Sequence, residues 1–319
     1  MSVLITGGAG FVGISIAEAL VESGLSVVVL DVNPYPEHAK AHFEQLRGTI
    51  SYVQGDVLDQ ALLEGTILAH GISMIVHTAA ITPNVDREIA DAKSVISVNC
   101  VSTASVLNAA TKLKVARVVH TSSGAVYGRG QWEADELFEA SSETRPESLY
   151  EITKVAAEQI VQRHKQLTDL DATILRLGDV FGPWEYRSGV RDVLSAPFQV
   201  TELARAREKA WLPRPGMKYW VYSRDVGRAV HRIVTAKTLQ HDVYHVSSGY
   251  RWSIAEWCRL LSETFPGFSY EITDRADRVN IEFRPDHSPL NIERLVEDTG
   301  YIPRYDLQKS FDDYMSWKG

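Results

Sequence analysis

Six short apolar runs rich in β-branched residues recur through the first 177 residues: SVLIT (2–6), SVVVLD (26–31), ISYVQ (50–54), SMIVHTA (73–79), ARVVHTSS (116–123) and DATILRL (171–177). Runs this short and this continuously apolar suit strands buried on both faces. Between them lie stretches such as FVGISIAEALVESG, AKSVISVNCVSTASVLNAATKLK and LYEITKVAAEQIVQRHKQ, whose apolar residues recur at three and four, the period of an amphipathic helix. Strand and helix in strict alternation leave one economical solution, because parallel neighbours need a crossover and the crossover helices must cover the sheet. The expected fold is α/β, a doubly wound parallel sheet.

The texture changes after Gly182. Prolines cluster (Pro183, Pro197, Pro213, Pro215), and six of the seven tryptophans lie at or beyond Trp184. At 319 residues the chain is long for one compact core. We therefore expect a dinucleotide-binding portion over 1–180 and a smaller α+β substrate portion over 181–319, able to return segments to the sheet, with the tryptophans serving mainly as its core. A formal net charge of −8 without a local basic run argues against nucleic acid as a partner. Two cysteines, Cys100 and Cys258, are too few for a disulfide framework or a metal cage and point to a reducing compartment. No apolar run approaches the roughly 18 residues of a membrane span, and the apolar start lacks a basic leader and cleavage site. The expectation is a cytoplasmic protein with no membrane partner and no metal.

The stretch LITGGAGFVG (4–13) joins the first expected strand to the first expected helix. Gly8, Gly10 and Gly13 fit G-x-G-x-x-G, and Gly7, Gly10 and Gly13 fit a G-x-x-G-x-x-G frame. In such a loop one glycine turns the chain, Gly10 lets the backbone approach a pyrophosphate, and Gly13 lets helix and strand pack closely. The helix start adds free N–H groups and a positive dipole end. Asp31 then ends the second strand, where a carboxylate can accept from the adenosine ribose hydroxyls and would repel a 2′-phosphate. No Arg or Lys follows it before Lys40, so the cofactor expected is NAD, not NADP.

In SLYEITKVAAEQ, Tyr150 and Lys154 stand four apart and so share a helix face. A tyrosine is a poor base at neutral pH unless a cation stabilises its phenolate, which Lys154 can do. The pair suits proton transfer to and from a hydroxyl while hydride moves to or from a nicotinamide. Ser122 and Ser123, in HTSSGAVYG, end the fifth expected strand at the carboxyl edge of the sheet, where a hydroxyl can hold a substrate oxygen.

With these motifs in hand, the sequence resembles the extended short-chain dehydrogenase/reductase family, in particular its NAD-dependent epimerase/dehydratase branch, over essentially its whole length. The resemblance rests on GGAGFVG, Asp31, GDVLD, VHTAA, the Tyr150/Lys154 pair, RLGDVFGP and the closing RPDHSPLNIERLVEDTGYIPRYDLQKSFDDYMSW. It implies a catalytic triad of Ser123, Tyr150 and Lys154. It also implies cofactor contacts at Gly7, Gly10, Phe11, Val12, Gly13, Asp31, Asp56, Val57, Ala79, Ala80, Asn99 and Val180, with Tyr150 and Lys154. Substrate contacts are implied at Ser123, Asp179, Lys218 and Arg284, and a homodimer through the helices that carry Asn99 and Tyr150. Two departures bear on activity. Dehydratases of the branch carry an acidic pair directly after the catalytic hydroxyl, where this chain has Gly124 and Ala125, so dehydration is disfavoured. Nucleotide-sugar enzymes place Asn where this chain has Asp179, and Lys218 stands where an Arg is usual. A carboxylate facing a diphosphate is repulsive, which brings a free sugar or sugar acid forward as substrate.

The reading is thus an NAD-dependent oxidoreductase or epimerase acting on a secondary hydroxyl of a carbohydrate-like small molecule, through a transient or released ketone. A simple dehydrogenase of a free sugar, sugar acid or other hydroxy compound uses the same residues. A non-catalytic NAD-binding sensor is the rival from another class, and it has no use for an activated phenolate. The pairs His38/His42 and His241/His245 each lack a third metal ligand and read as ordinary surface. Arg224 and Asp225 are expected to open a helix and pair locally, and EADELFEASSE to form a surface loop.

Overall fold

The structure, a computed structural model, describes residues 1–282 and 286–317, the His38 side chain excepted. The first half is built as β1 (Ser2–Thr6), α1 (Phe11–Glu22), β2 (Ser26–Asp31), α2 (Glu37–Phe43), β3 (Thr49–Gln54), α3 (Gln60–Ala69), β4 (Met74–His77) and α4 (Val85–Ile96). A π-helical turn (Ser97–Val101), α5 (Ser102–Lys112), β5 (Arg117–Ser123), a 3-10 segment (Gly124–Trp132), α6 (Leu149–Leu167) and β6 (Asp171–Leu177) complete it. Then come β7 (Asp179–Phe181), α7 (Ala196–Ala206), β8 (Lys209–Leu212), β9 (Met217–Lys218), β10 (Trp220–Tyr222), α8 (Ser223–Thr235) and β11 (Val243–Val246). The chain ends with β12 (Trp252–Ser253), α9 (Ile254–Thr264), β13 (Ser269–Ile272), α10 (Glu293–Thr299) and α11 (Leu307–Ser316).

Seven strands form one sheet in the order β11-β6-β5-β4-β1-β2-β3, and every pairing in it is parallel. The order reverses between β1 and β4, the point at which a doubly wound sheet opens a crevice above its carboxyl ends. The central strands are buried as their composition requires: Val3, Leu4 and Ile5 of β1, Ile75 and Val76 of β4 and Val118 and Val119 of β5 are inaccessible or nearly so. β3 departs from the expectation of burial on both faces. It is an edge strand with Tyr52 exposed. The seventh strand, β11, comes from the second half of the chain and pairs with β6 from Val243↔Ile174 to Val246↔Leu177.

The remaining second half has its own core, in which Trp252 stacks on Trp257 at 5.4 Å and Phe181 meets Trp220, Tyr222, Trp252 and Trp257 edge-on. Aromatic area of this kind is what holds a small portion together, as expected for most of its tryptophans. Three expectations need correction. The stretch 92–114 is helical throughout most of its length but not a regular α-helix: a π-helical turn at Ser97–Val101 joins the end of α4 to α5. Arg224 and Asp225 do not pair, because adjacent residues on a helix point about 100° apart. Arg224 instead reaches Glu18 (2.9 Å) and Asp313 (2.8 Å), while Asp225 accepts from the backbone N–H groups of Arg304 and Tyr305 and from Arg228. EADELFEASSE is surface only in part, since Leu137 is buried and Glu139 accepts the His245 N–H at 2.9 Å. Among the described residues no helix is long and apolar enough to cross a membrane.

Candidate active site

The glycine loop between β1 and α1 has the form expected of a phosphate cradle. Gly7 has φ +70°, and a Cβ there would lie 2.5 Å from the Ala79 backbone. A Cβ on Gly13 would lie 2.4 Å from the Gly7 carbonyl oxygen, so only glycine lets α1 start this close to the loop. Gly10 caps α1 without any side-chain hydrogen bond, which leaves the first-turn N–H groups open to an anion. Gly7, Gly10, Phe11, Val12 and Gly13 all line a cleft of about 480 Å³ above the carboxyl ends of the strands, and Asp31, Asp56, Val57, Ala79, Ala80 and Val180 line it too.

Asp31 is tied into this loop. Its Oδ2 accepts the Ala9 N–H at 3.0 Å and its Oδ1 the Asn33 N–H at 2.9 Å. Burial pushes its carboxyl above the usual range, and these backbone bonds oppose the rise only in part. The nearest base in sequence, Lys40, is bonded to Glu37 at 2.6 Å. Residues 183–195 strap the cleft to the same loop: the Tyr186 hydroxyl donates to the Ala9 carbonyl (2.8 Å), and Thr82 exchanges bonds with Val190 (2.8 Å) and Asp192 (3.0 Å).

Tyr150 and Lys154 occupy successive turns of α6, whose start is fixed by a capping box between Ser148 and Glu151. Both line the cleft. Lys154 is 4% exposed, donates to the Thr121 carbonyl at 2.9 Å and lies 5.9 Å from the centre of the Tyr150 ring. Behind it, burial and then the Lys154 charge hold His77 down to about 3 and His120 well below its ordinary value, so Lys154 is the cation of this corner. Ser123 ends β5 and lines the cleft, its Oγ accepting the Ala125 N–H at 3.1 Å. Its O–H has no acceptor among the described residues and is available to a ligand. Ser122 lines the cleft but is committed elsewhere, donating to Glu158 at 2.6 Å.

That bond belongs to a buried network that sequence reasoning missed. Glu158 takes a bidentate grip from Arg176 (2.6 Å and 3.0 Å), and Arg176 donates to the Tyr127 hydroxyl at 2.7 Å. Tyr127 meets His245 Nε2 at 2.6 Å, while His245 Nδ1 faces the Asn291 carbonyl at 2.8 Å. The network ties β5, the 3-10 segment, α6, β6 and β11 together directly behind the serine. The one available signal was Glu158 at four residues beyond Lys154, on the same helix face.

The other expected residues divide. Asn99 does not line the cleft. It is 2% exposed and holds the wall from behind, bonding the N–H and carbonyl of Ile81 and the Thr153 hydroxyl. Asp179 and Lys218 do line it, yet Asp179 is not a bare carboxylate: its Oδ2 accepts from Lys218 Nζ and from His287 Nε2, each at 2.7 Å. Burial alone would raise the Asp179 carboxyl, and Lys218 and His287 together bring it well below the usual range. The isolated repulsive charge anticipated at this position is therefore absent. His287 was not foreseen, and Arg284 lies outside the described residues. His42 pairs with Glu18 at 2.8 Å, the His38 side chain is outside the described residues, and among those described no group of three metal-binding side chains occurs.

The sequence profile of the NAD dependent epimerase/dehydratase family matches residues 3–247. The chain belongs to that family. It is an NAD-dependent enzyme, and the open helix start, glycine cradle and Asp31 fit that cofactor. The chain is 26% identical to dTDP-glucose 4,6-dehydratase of Streptomyces niveus over 99% of its own length and 92% of that protein's. It is also 26% identical to dTDP-L-rhamnose 4-epimerase of Burkholderia thailandensis, covering 99% and 94% of the two chains. The structure of UDP-glucuronic acid 4-epimerase from Bacillus cereus, with UDP-glucuronic acid and NAD, superposes with a TM-score of 0.80 at 20% identity, covering 98% of each chain.

Proposed function

We propose that this enzyme oxidises a secondary hydroxyl of a sugar or sugar derivative with bound NAD and returns the hydride to the opposite face of the ketone it has made, acting as an epimerase. The juxtaposition that carries the reading is Tyr150, Lys154 and the free Ser123 hydroxyl lining one cleft with the glycine cradle. NAD supplies the hydride acceptor and donor. Ser123 donates to the substrate oxygen and orients it. Tyr150 takes the hydroxyl proton onto its oxygen as the carbonyl forms and gives it back on return. Lys154, anchored on the Thr121 carbonyl, lowers the cost of the phenolate. Glycine and alanine at 124 and 125 offer no acid to expel water, which argues against dehydration although several relatives are dehydratases.

The strap over residues 183–195, bonded to Ala9 of the cofactor loop, supports retention of NAD between turnovers, which an epimerase needs and a dehydrogenase does not. In this account residues 1–180 carry the cofactor and the triad, and 181–319 mainly bind substrate. Ile89, Ile96, Val101 and Ile152 form an exposed apolar face on α4, the π-helical turn and α6, which supports a homodimer through that face. Free Cys100 and Cys258 suit a cytoplasmic enzyme. The test is purification without added cofactor, then incubation with a panel of sugars, sugar acids and nucleotide sugars while NADH and product stereochemistry are followed. Inverted product without net NADH supports the epimerase. Accumulating free NADH with a keto product gives the dehydrogenase instead, and no oxidation of any panel member counts against the activity.

A further inference from the structure

The strap is held to the cleft wall on both sides of Arg191. The Thr82 N–H donates to the Val190 carbonyl at 2.8 Å and the Asp192 N–H donates to the Thr82 carbonyl at 3.0 Å, so that Thr82 and Arg191 pair as an isolated parallel bridge. Asp192 also accepts from the Asn84 N–H and from Arg87, each at 3.1 Å. From this anchored backbone the Arg191 side chain turns back over the cofactor loop. Its Nε donates to the Val193 carbonyl at 3.1 Å, and its guanidinium lies 5.4 Å from the centre of the Phe11 ring, within cation–π range. Phe11 is the first residue of α1, next to Gly10, which caps the helix with no side chain.

The guanidinium has donors to spare. Glu185 Oε1 lies 3.3 Å from Arg191 Nη1, but both Glu185 oxygens already accept from Ser195, Oε1 from the N–H at 2.7 Å and Oε2 from the hydroxyl at 2.5 Å. Neither Nη1 nor Nη2 makes a hydrogen bond to a described residue. The Glu185 side chain is fully buried and does not line the cleft, whereas that of Arg191 is a quarter exposed and does. The carboxylate therefore orients the arginine from behind, and the cleft meets the cation. Gly10, Phe11 and Val12 line the same cleft, where the open N–H groups of the α1 start already suit an anion. A planar fork of N–H donors matches phosphate oxygens in a way a single charge does not. We infer that Arg191 binds the diphosphate of the cofactor from the strap side, and that through this residue the strap holds NAD in place. This rests on the retention of NAD in the reading above and not on the face to which hydride returns.

The test compares native protein, Arg191→Ala and Arg191→Lys. Release of NADH from the loaded enzyme is followed by its fluorescence after a chase of excess NAD, and binding of ADP, adenosine and UDP is measured by calorimetry. Arg191→Ala should speed NADH release and weaken ADP by about ten- to a hundredfold, the worth of hydrogen bonds between charged groups. Adenosine, which has no diphosphate, should keep its affinity within about twofold. Arg191→Lys keeps the charge and loses the fork, and should fall between the other two. Unchanged NADH release in Arg191→Ala overturns the inference, and so do equal losses for ADP and adenosine, which would show that Arg191 only shapes the cleft. A loss confined to UDP would give Arg191 to a diphosphate on the substrate side and overturn it likewise. A native urea midpoint certifies folding, and Arg191→Gln replaces Arg191→Ala if that check fails. Native protein purified free of NAD would sink the retention reading, while the ADP and adenosine comparison still decides the role of Arg191.

Discussion

Asp31→Ala probes the cofactor preference at its physical origin. Asp31 does two things in the structure: it presents a carboxylate to the cleft, and it braces the loop by accepting from Ala9 and Asn33. A 2′-phosphate about 4 Å from that carboxylate is repelled by about 4 kcal/mol at an effective dielectric of 20, close to three decades of affinity at about 1.4 kcal/mol per decade. Ribose hydroxyls donating to the ionised carboxylate add roughly 1.5–3 kcal/mol in favour of NAD. Native enzyme should therefore prefer NAD over NADP by about ten-thousandfold or more. Asp31→Ala should weaken NAD by roughly ten- to a hundredfold, strengthen NADP, and lose about 1–2 kcal/mol of stability because the two N–H groups must find water instead. Asp31→Asn separates the effects in part: its one amide oxygen can accept from Ala9 or from Asn33 but not both, so only part of the stability should return while discrimination stays low. Calorimetry with both cofactors and urea denaturation of all three proteins decide the matter. Equal native affinity for NAD and NADP, or an NAD-to-NADP ratio that neither substitution changes, would refute the reasoning.

Glu158→Ala should cost about 3–5 kcal/mol in urea denaturation, because Arg176 is left buried without its carboxylate; an unchanged midpoint would show that the network behind Ser122 does not stabilise the fold. His77 is held down to about 3 by burial, so the folded state keeps it neutral while the unfolded chain takes up a proton below about 6.5. Its contribution to stability is complete above that value and is lost as pH falls toward 3. Stability should fall between about pH 7 and pH 5.5, and His77→Asn should flatten that fall; equal slopes for the two proteins would remove His77 from the account. Ile89→Glu or Ile152→Glu should convert a dimer to monomer in sedimentation without disturbing NAD affinity, and native enzyme that sediments as a monomer would remove the proposed interface.

The parallel sheet and the cofactor cleft were legible because local signals agree there: β-branched runs, glycines where a Cβ cannot fit, and an acid at the end of β2. The Tyr150/Lys154 pair was legible because helix periodicity fixes relative position at spacing four. What escaped depends on partners distant in sequence. Asp179 reads as a lone charge until His287, 108 residues away, closes on it. Asn99 reads as a cofactor contact until Ile81 and Thr153 occupy its amide. Arg176 lies in a strand pattern that gives no hint of Glu158, and the π-helical turn at Ser97–Val101 falls within a stretch whose apolar periodicity runs on unbroken.

The proton-transfer claim for Tyr150 is tested most directly by Tyr150→Phe, which removes one oxygen from the cleft and leaves the glycine cradle, Asp31 and Lys154 in place. With NAD and any substrate that the native enzyme oxidises, kcat should fall by about a hundredfold or more while the NAD dissociation constant stays at its native value; native turnover in Tyr150→Phe would contradict the assignment of Tyr150 as the group that moves the substrate proton.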